Sequence, residues 1–244
     1  ELLLGSEYPR LWLSTFHSFC ARLLRREAPL LNLSRDFVIY DSTDQLSVVR
    51  RLMKKLDVDE RITSPRAVLS RISQAKNQMK NPETIRQEGF GFREEQIGRI
   101  YKQYVRALQD SNALDFDDLL LRAVSLFESS ESARTRYANQ FRYVMVDEYQ
   151  DTNRPQYLLI RYLAAHRNLC VVGDPDQSIY RWRGADLRNI LDFEEDFPEA
   201  TTVVLERNYR STQVILDAAS SVINHNQGRK DKRLWTDRSG GNAV

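Results

Sequence analysis

Two apolar runs in this chain stop abruptly at carboxylates. The first, Tyr143-Val144-Met145-Val146, ends in Asp147-Glu148 and continues as Tyr149-Gln150-Asp151-Thr152-Asn153. The second, Cys170-Val171-Val172, ends in Gly173-Asp174-Pro175-Asp176 and leads through Gln177 into Tyr180-Arg181-Trp182-Arg183-Gly184. A run of this kind predicts a buried parallel strand that delivers its acids to the carboxyl edge of a sheet, where open α/β sheets bind ligands. Asp147 beside Glu148 suits one carboxylate for Mg²⁺ and a second that polarises water for attack on a phosphate. The plain alternative is a pair of solvated acids, against which the dense polar run after Glu148 argues. The loop that usually accompanies such acids, Gly-x-x-x-x-Gly-Lys-Ser/Thr, is absent, because no Gly is followed by Lys.

Three further groups carry chemistry. Tyr180 and Trp182 alternate with Arg181 and Arg183, a pattern that can stack unpaired bases while pairing their phosphates, at about 1–3 kcal/mol per base without sequence preference. The alternative for Trp182 is a place in the core, the common fate of Trp. In Asn208-Tyr209-Arg210-Ser211 the arginine either closes a structural ion pair or stabilises charge developing on a transferred phosphoryl group. Thr15-Phe16-His17-Ser18 puts two hydroxyls and a histidine at a predicted helix start, where backbone N–H groups attract phosphate; His17 alone would read as structural. His166 and His225 show no chemistry of their own.

The elements that must position these groups follow from periodicity and caps. A helix starts near Ser14 or Thr15. From Phe37 to about Leu108 the pattern is helical: Ser42 with Gln45 resembles a capping box, Ser64-Pro65 opens a second helix, Asn81-Pro82 and the Gly89/Gly91 pair punctuate, and Ile97 to Leu108 marks another helix. Asp115-Phe116-Asp117-Asp118 caps a helix running to about Phe127. The rhythm then becomes strand at 143–146, helix from Asn153-x-x-Gln156, strand at 169–172, helix near Leu187–Phe193 and strand at Thr201–Leu205. A final helix from Ser211 should bury Val214, Ile215, Ala218, Ala219, Val222 and Ile223. Alternating strands and helices predict a parallel sheet, so the fold class is α/β with an early all-helical interruption.

Composition limits the alternatives. The net charge of +2 is too small to argue for nucleic acid by itself, and local basic clusters such as Arg22, Arg25 and Arg26 read first as solvated helix faces. Cys20 and Cys170 lie far apart in apolar settings, which predicts buried free thiols in a reducing cytoplasm. The apolar runs are too short to cross a bilayer, and Glu1-Leu2-Leu3-Leu4-Gly5 lacks the marks of a signal peptide.

Together these blocks resemble the superfamily 1 DNA helicases of the UvrD/PcrA/Rep type. The similarity rests on Thr15–Cys20, Asp115–Leu120, Val146–Asn153, Val172–Ala185 and Asn208–Ser211, in family order. Tyr149 and Trp182 favour this branch over the related recombination helicase-nucleases, which tend to carry Phe there. The resemblance implies an incomplete RecA-like parallel-sheet domain with an inserted helical subdomain. Its parts would be residues 1–26 and 111–230 of the first RecA-like domain, an insertion at 27–110, and a linker at 231–244. It implies that Asp147 helps to hold Mg²⁺, that Glu148 activates water, that Gln177 and Arg210 sense the γ-phosphate of ATP, and that Tyr209 stacks on adenine. Tyr180, Trp182 and Arg183 would line a single-strand track, with Thr15, Phe16, His17 and Ser18 near its backbone. The implied activity is ATP-dependent 3′–5′ unwinding of duplex DNA by movement on one strand. The family's phosphate loop should lie upstream of Glu1 and its second motor domain beyond Val244, so this stretch alone is expected neither to hydrolyse ATP usefully nor to unwind. A module that binds single strands or regulates, without hydrolysis, is the rival reading.

Overall fold

The computed structural model describes residues 11–88, 92–226 and 232–240. The Gly89/Gly91 punctuation, the reading of Glu1–Gly5 and the two ends of the expected linker (231 and 241–244) fall outside them.

Side-chain caps set the helix starts. Thr15, in extended conformation, accepts from Ser18 N and opens α1 (Phe16–Glu27). Three extended residues then form β1 (Val38–Tyr40) inside the stretch predicted to be helical. Its partner β2 (Ala113–Asp115) is far along the chain, and they pair in parallel as Val38↔Ala113, Ile39↔Leu114 and Tyr40↔Asp115. A strand this short has too little alternation to announce itself. α2 (Ser42–Lys55) is capped one residue before the predicted box. The Asp41 carboxylate accepts from Thr43 N and Asp44 N, the Asp44 carboxylate accepts in return from Asp41 N, and Gln45 is left to donate to Tyr40 O.

Ser64 caps α3 (Pro65–Asn77) with Pro65 in its first turn, as expected. α4 (Pro82–Glu88) and α5 (Phe92–Asp110) follow. Asp115 caps α6 (Phe116–Ser129) in a reciprocal box with Asp118. α7 (Glu131–Gln140) escapes periodicity because its buried residues are few: Ala133, Tyr137 and Ala138. β3 (Val144–Val146) pairs with β4 (Leu169–Val171), and between them α8 (Arg154–Leu163) starts at the predicted Asn153–Gln156 box with Pro155 in its first turn. The short helices α9 (Arg188–Leu191) and α10 (Phe193–Asp196) replace the single one expected there, and α11 (Gln213–Ile223) comes last. The architecture is mixed α/β, with small parallel sheets and many helices.

The chain divides into two compact units, Glu1–Met145 with Asn153–Cys170, and Val146–Thr152 with Val171–Val244. The first unit has two cores. One gathers α1, α6, α7 and α8 around residues such as Leu23, Leu120, Phe127 and Leu159. The other gathers α2, α3, α4 and α5 around Met53, Ile72, Ile100 and Tyr104. Each fully buried side chain of this kind contributes about 1.5–3 kcal/mol by leaving water.

A buried ionic cluster ties α3 and α5 to the start of α6. Lys76 Nζ lies 2.7 Å from both Asp115 Oδ2 and Asp118 Oδ1, with Lys76 only 1% exposed. Tyr104 Oη donates to Asp115 Oδ2 at 2.9 Å, and Asn77 Nδ2 donates to Asp117 Oδ1 at 3.2 Å while its carbonyl accepts from the α8 cap Asn153. Burial alone would lower the Lys76 pKa, but the two carboxylates outweigh it and raise it. Burial likewise opposes ionisation of Asp115, yet Lys76 holds that carboxyl below its ordinary range.

Several expectations fail. Cys170 is exposed, whereas Cys20 is buried and its thiol is pushed up to about 12. Thr201–Leu205 forms no strand, and Val203 and Leu205 stand 74% and 76% exposed. A strand needs a ladder partner, and the one bridge described near this stretch is Arg207↔Trp235. Of α11 only Leu216 is buried; Val214, Ile215 and Val222 are exposed. No helix among the described residues is long and apolar enough to cross a membrane.

Candidate functional site

The second unit gathers most of the residues singled out for chemistry. Val172 N donates to Val146 O at 2.8 Å and Tyr149 N to Val172 O at 3.0 Å, so the ends of β3 and β4 lie side by side. Asp147 and Glu148 leave the strand exposed to solvent. Glu148 sits in the left-handed region, at φ 52° and ψ 42°, a conformation that is uncommon for a residue with a Cβ and that clusters at functional sites. A single 3-10 turn, Tyr149–Asp151, follows and is anchored by Tyr149, which is buried edge-on to Phe193 with ring centroids 5.6 Å apart.

Gln150 joins the two acidic strand ends. It is 1% exposed; its Nε2 donates to Glu148 Oε2 at 2.7 Å and its Oε1 accepts from Asp174 N at 3.0 Å. Gly173 permits this approach, because a Cβ there would stand 2.6 Å from Gln150 Oε1. Asp174 Oδ2 then accepts from Gln177 Nε2 at 2.8 Å, and its Oδ1 pairs with Lys232, which also reaches Asp176 Oδ2 at 3.2 Å. Burial opposes ionisation of Asp174, but Lys232 and Gln177 hold its pKa below the ordinary value. Glu148 and Gln177 thus belong to one hydrogen-bonded chain. Among the described residues, neither Asp147 nor Glu148 has an ion-pair partner.

The aromatic segment follows directly. Arg181–Arg183 form a 3-10 turn after Tyr180, and Gly184 closes it in the left-handed region at φ 87°. Trp182 is 73% exposed, which removes the core-packing alternative. The Tyr180 and Trp182 rings are neighbours, with centroids 6.5 Å apart and planes tilted by 47°. The turn explains the tilt, since an extended segment would have aligned them on one side. The side chain of Arg183 lies outside the described residues.

Asn208 Oδ1 accepts from Arg210 N at 2.9 Å and Ser211 N at 2.7 Å, an Asx turn that presents Tyr209 and Arg210 to solvent ahead of α11. Tyr209 is 70% exposed.

Thr15, Phe16, His17 and Ser18 belong to the first unit, at the start of α1. Thr15 and Ser18 are exposed and share a hydroxyl–hydroxyl bond of 3.1 Å; Phe16 and His17 are half-buried. His17 packs edge-on against Phe116 at 5.7 Å, and burial lowers its pKa. Sequence reasoning missed the roles of Gln150, Asp174 and Lys232. A Gln between two acids at a strand end was a usable signal for the first, whereas nothing local marks Lys232 as the partner of residues so far back in the chain.

Comparison with known proteins places the chain. A family model described as the UvrD/REP helicase N-terminal domain matches residues 1–198. Over 245 aligned positions that cover the whole chain, it is 50% identical to a Staphylococcus epidermidis protein named ATP-dependent DNA helicase PcrA and 46% identical to its Staphylococcus aureus namesake. The aligned part is 34% of each relative, so the chain spans about a third of the length of the curated relatives it matches. With that model covering most of its residues, the chain belongs to the UvrD/REP helicase family.

Proposed function

We propose that this chain contributes the first motor region of an ATP-dependent 3′–5′ DNA helicase that acts in the cytoplasm and splits duplex DNA by moving along one strand. The observation that carries the reading is the chain Glu148–Gln150–Asp174–Gln177, which ends three residues from Tyr180. One short segment thereby adjoins both the acid pair and the exposed aromatics, so a change at the nucleotide can alter the grip on DNA.

Within this reading Glu148 accepts the proton of the attacking water, and the buried amide of Gln150 fixes its carboxylate. Gln177 and Arg210 face the γ-phosphate, and Tyr209 stacks on adenine. The donor set fits Mg²⁺: Asp147 is an exposed carboxylate with no cation paired to it among the described residues, and Asp151 Oδ1 nearby in sequence is buried without a partner. Mg²⁺, when bound, would neutralise phosphate charge. Tyr180, Trp182 and Arg183 form the strand track, with Thr15, Phe16, His17 and Ser18 contributing at the start of α1. The separate core of α2–α5 supports an insertion at about 27–110 between the two parts of a RecA-like domain, 1–26 and 111–230, with 231–244 leading to a second motor domain.

The test is strand displacement by the full-length protein on partial duplexes with a single-stranded tail at one end. The reading predicts ATP- and Mg²⁺-dependent unwinding from a 3′ tail and little from a 5′ tail. Tight binding of single strands without ATP turnover would favour the rival reading.

A further inference from the structure

The ring of Tyr209 is not held by its own turn alone. Arg207 places its guanidinium carbon over that ring, 4.9 Å from the centroid, and over the Trp235 ring at 5.3 Å. The arrangement is built by backbone pairing. Trp235 N donates to Glu206 O at 3.0 Å and Asn208 N donates to Trp235 O at 2.7 Å, a parallel bridge that sets Trp235 beside Arg207. Asp237 pairs with Arg207, Arg238 Nη1 donates to Arg210 O at 2.7 Å, and Thr236 N donates to Gln213 Oε1 at 3.3 Å. Lys232, at the start of the same segment, pairs with Asp174. Residues 232–238 therefore strap the Tyr209–Arg210 turn and reach the loop that carries Gln177.

We propose that Arg207 and Trp235 are positioning residues for nucleotide recognition: they back one face of the Tyr209 ring so that its open face receives the planar base. This rests on the reading of Tyr209 as the base-stacking residue and adds what holds the ring. A solvent-exposed tyrosine samples several rotamers, and stacking a base on it costs the freedom of the ring. A guanidinium already seated on one face removes part of that freedom before the nucleotide arrives, and an aromatic wall behind the guanidinium keeps it there. Because Trp235 is itself 43% exposed, its role here is local to the stack rather than to a core.

The experiment measures displacement of a fluorescent ATP analogue from the full-length protein by ATP and by inorganic tripolyphosphate, which has no base. Tyr209→Ala should weaken ATP by about 5- to 150-fold, the worth of one stacked base, and leave tripolyphosphate unchanged. Arg207→Ala and Trp235→Ala should each weaken ATP by about two- to five-fold, the worth of an exposed cation–π contact, again without effect on tripolyphosphate. Trp235→Phe, which keeps an aromatic face, should restore most of the loss. If Arg207→Ala and Trp235→Ala weaken both ligands equally and lower the melting temperature, the strap is merely structural and the inference falls. If they bind ATP normally while Tyr209→Ala does not, the inference falls and the base-stacking reading stands. If Tyr209→Ala binds both ligands normally, the base-stacking reading fails and the inference with it.

Discussion

Asp115-Phe116-Asp117-Asp118 and Asp147-Glu148-Tyr149-Gln150-Asp151 look alike as acidic segments that follow a strand, yet they meet opposite fates. At the start of α6, Asp115 is 2% exposed, both it and Asp118 lie 2.7 Å from the buried Lys76 ammonium, and each also closes the helix cap. At the end of β3, Asp147 and Glu148 are exposed, and the buried group there is the neutral amide of Gln150. Carboxylates buried against a cation have their charge spent on holding elements in register. The Glu148 carboxylate, held in solvent by a neutral amide, has no cation paired to it among the described residues. Partner and burial, rather than the acids themselves, separate structure from chemistry.

The largest effect should come from the solvent-facing side of this contrast. Arg210→Ala in the full-length protein should lower ATP turnover on saturating single-stranded DNA by about 10³–10⁵-fold, as charge-stabilising arginines do, while leaving the melting temperature almost unchanged. Lys76→Ala should do the reverse. Removing one partner of a buried ion pair strands two carboxylates at a cost of about 3–5 kcal/mol, read as a lower denaturation midpoint. A stable Lys76→Ala protein would show that the α6 acids are solvated and would erase the distinction.

Trp182→Ala sharpens it on the DNA side. Its exposure predicts a loss of about 1–3 kcal/mol in single-strand affinity with no dependence on base sequence, and little change in melting. Fluorescence anisotropy beside a thermal melt checks both; a destabilised protein that binds normally would return Trp182 to a structural role.

The smallest effect concerns Asp117. Burial first, and the charge of Asp115 next, raise its pKa to about 6. Asp117 then binds more protons in the folded chain than in the unfolded one between about pH 4 and 6, so this group's contribution to stability falls as pH rises through that window. Asp117→Asn keeps an acceptor for Asn77 and removes the penalty. It should stabilise the protein by roughly 1–2 kcal/mol at pH 7 and flatten that part of the pH profile of the melting temperature.

Caps and motifs were legible because they are local. Thr15, Ser64, Asp115 and Asn153 announce their helices within four residues, and the acidic strand ends are readable from where the apolar runs stop. What escaped was set by partners remote in the chain. β1 exists because Ala113–Asp115 pairs with it, and Lys232 matters only because it meets Asp174. The strand expected at Thr201–Leu205 and the buried stripe of α11 failed for the converse reason: apolar pattern gives a face, but only a neighbour buries it. Residue type could not rank the two acidic segments either, since Lys76 lies on a different helix from the acids that it neutralises.

The central claim is that the acid pair after β3 performs chemistry while the α6 acids hold the fold. Glu148→Gln and Asp115→Asn, made separately in the full-length protein and compared for ATP turnover and melting temperature, test it most directly. Glu148→Gln, which still accepts from Gln150, should bind ATP normally, melt like the parent and turn over about 10²–10⁴-fold more slowly, the usual worth of a positioned base. Asp115→Asn should melt lower. Unchanged turnover in Glu148→Gln would contradict the account.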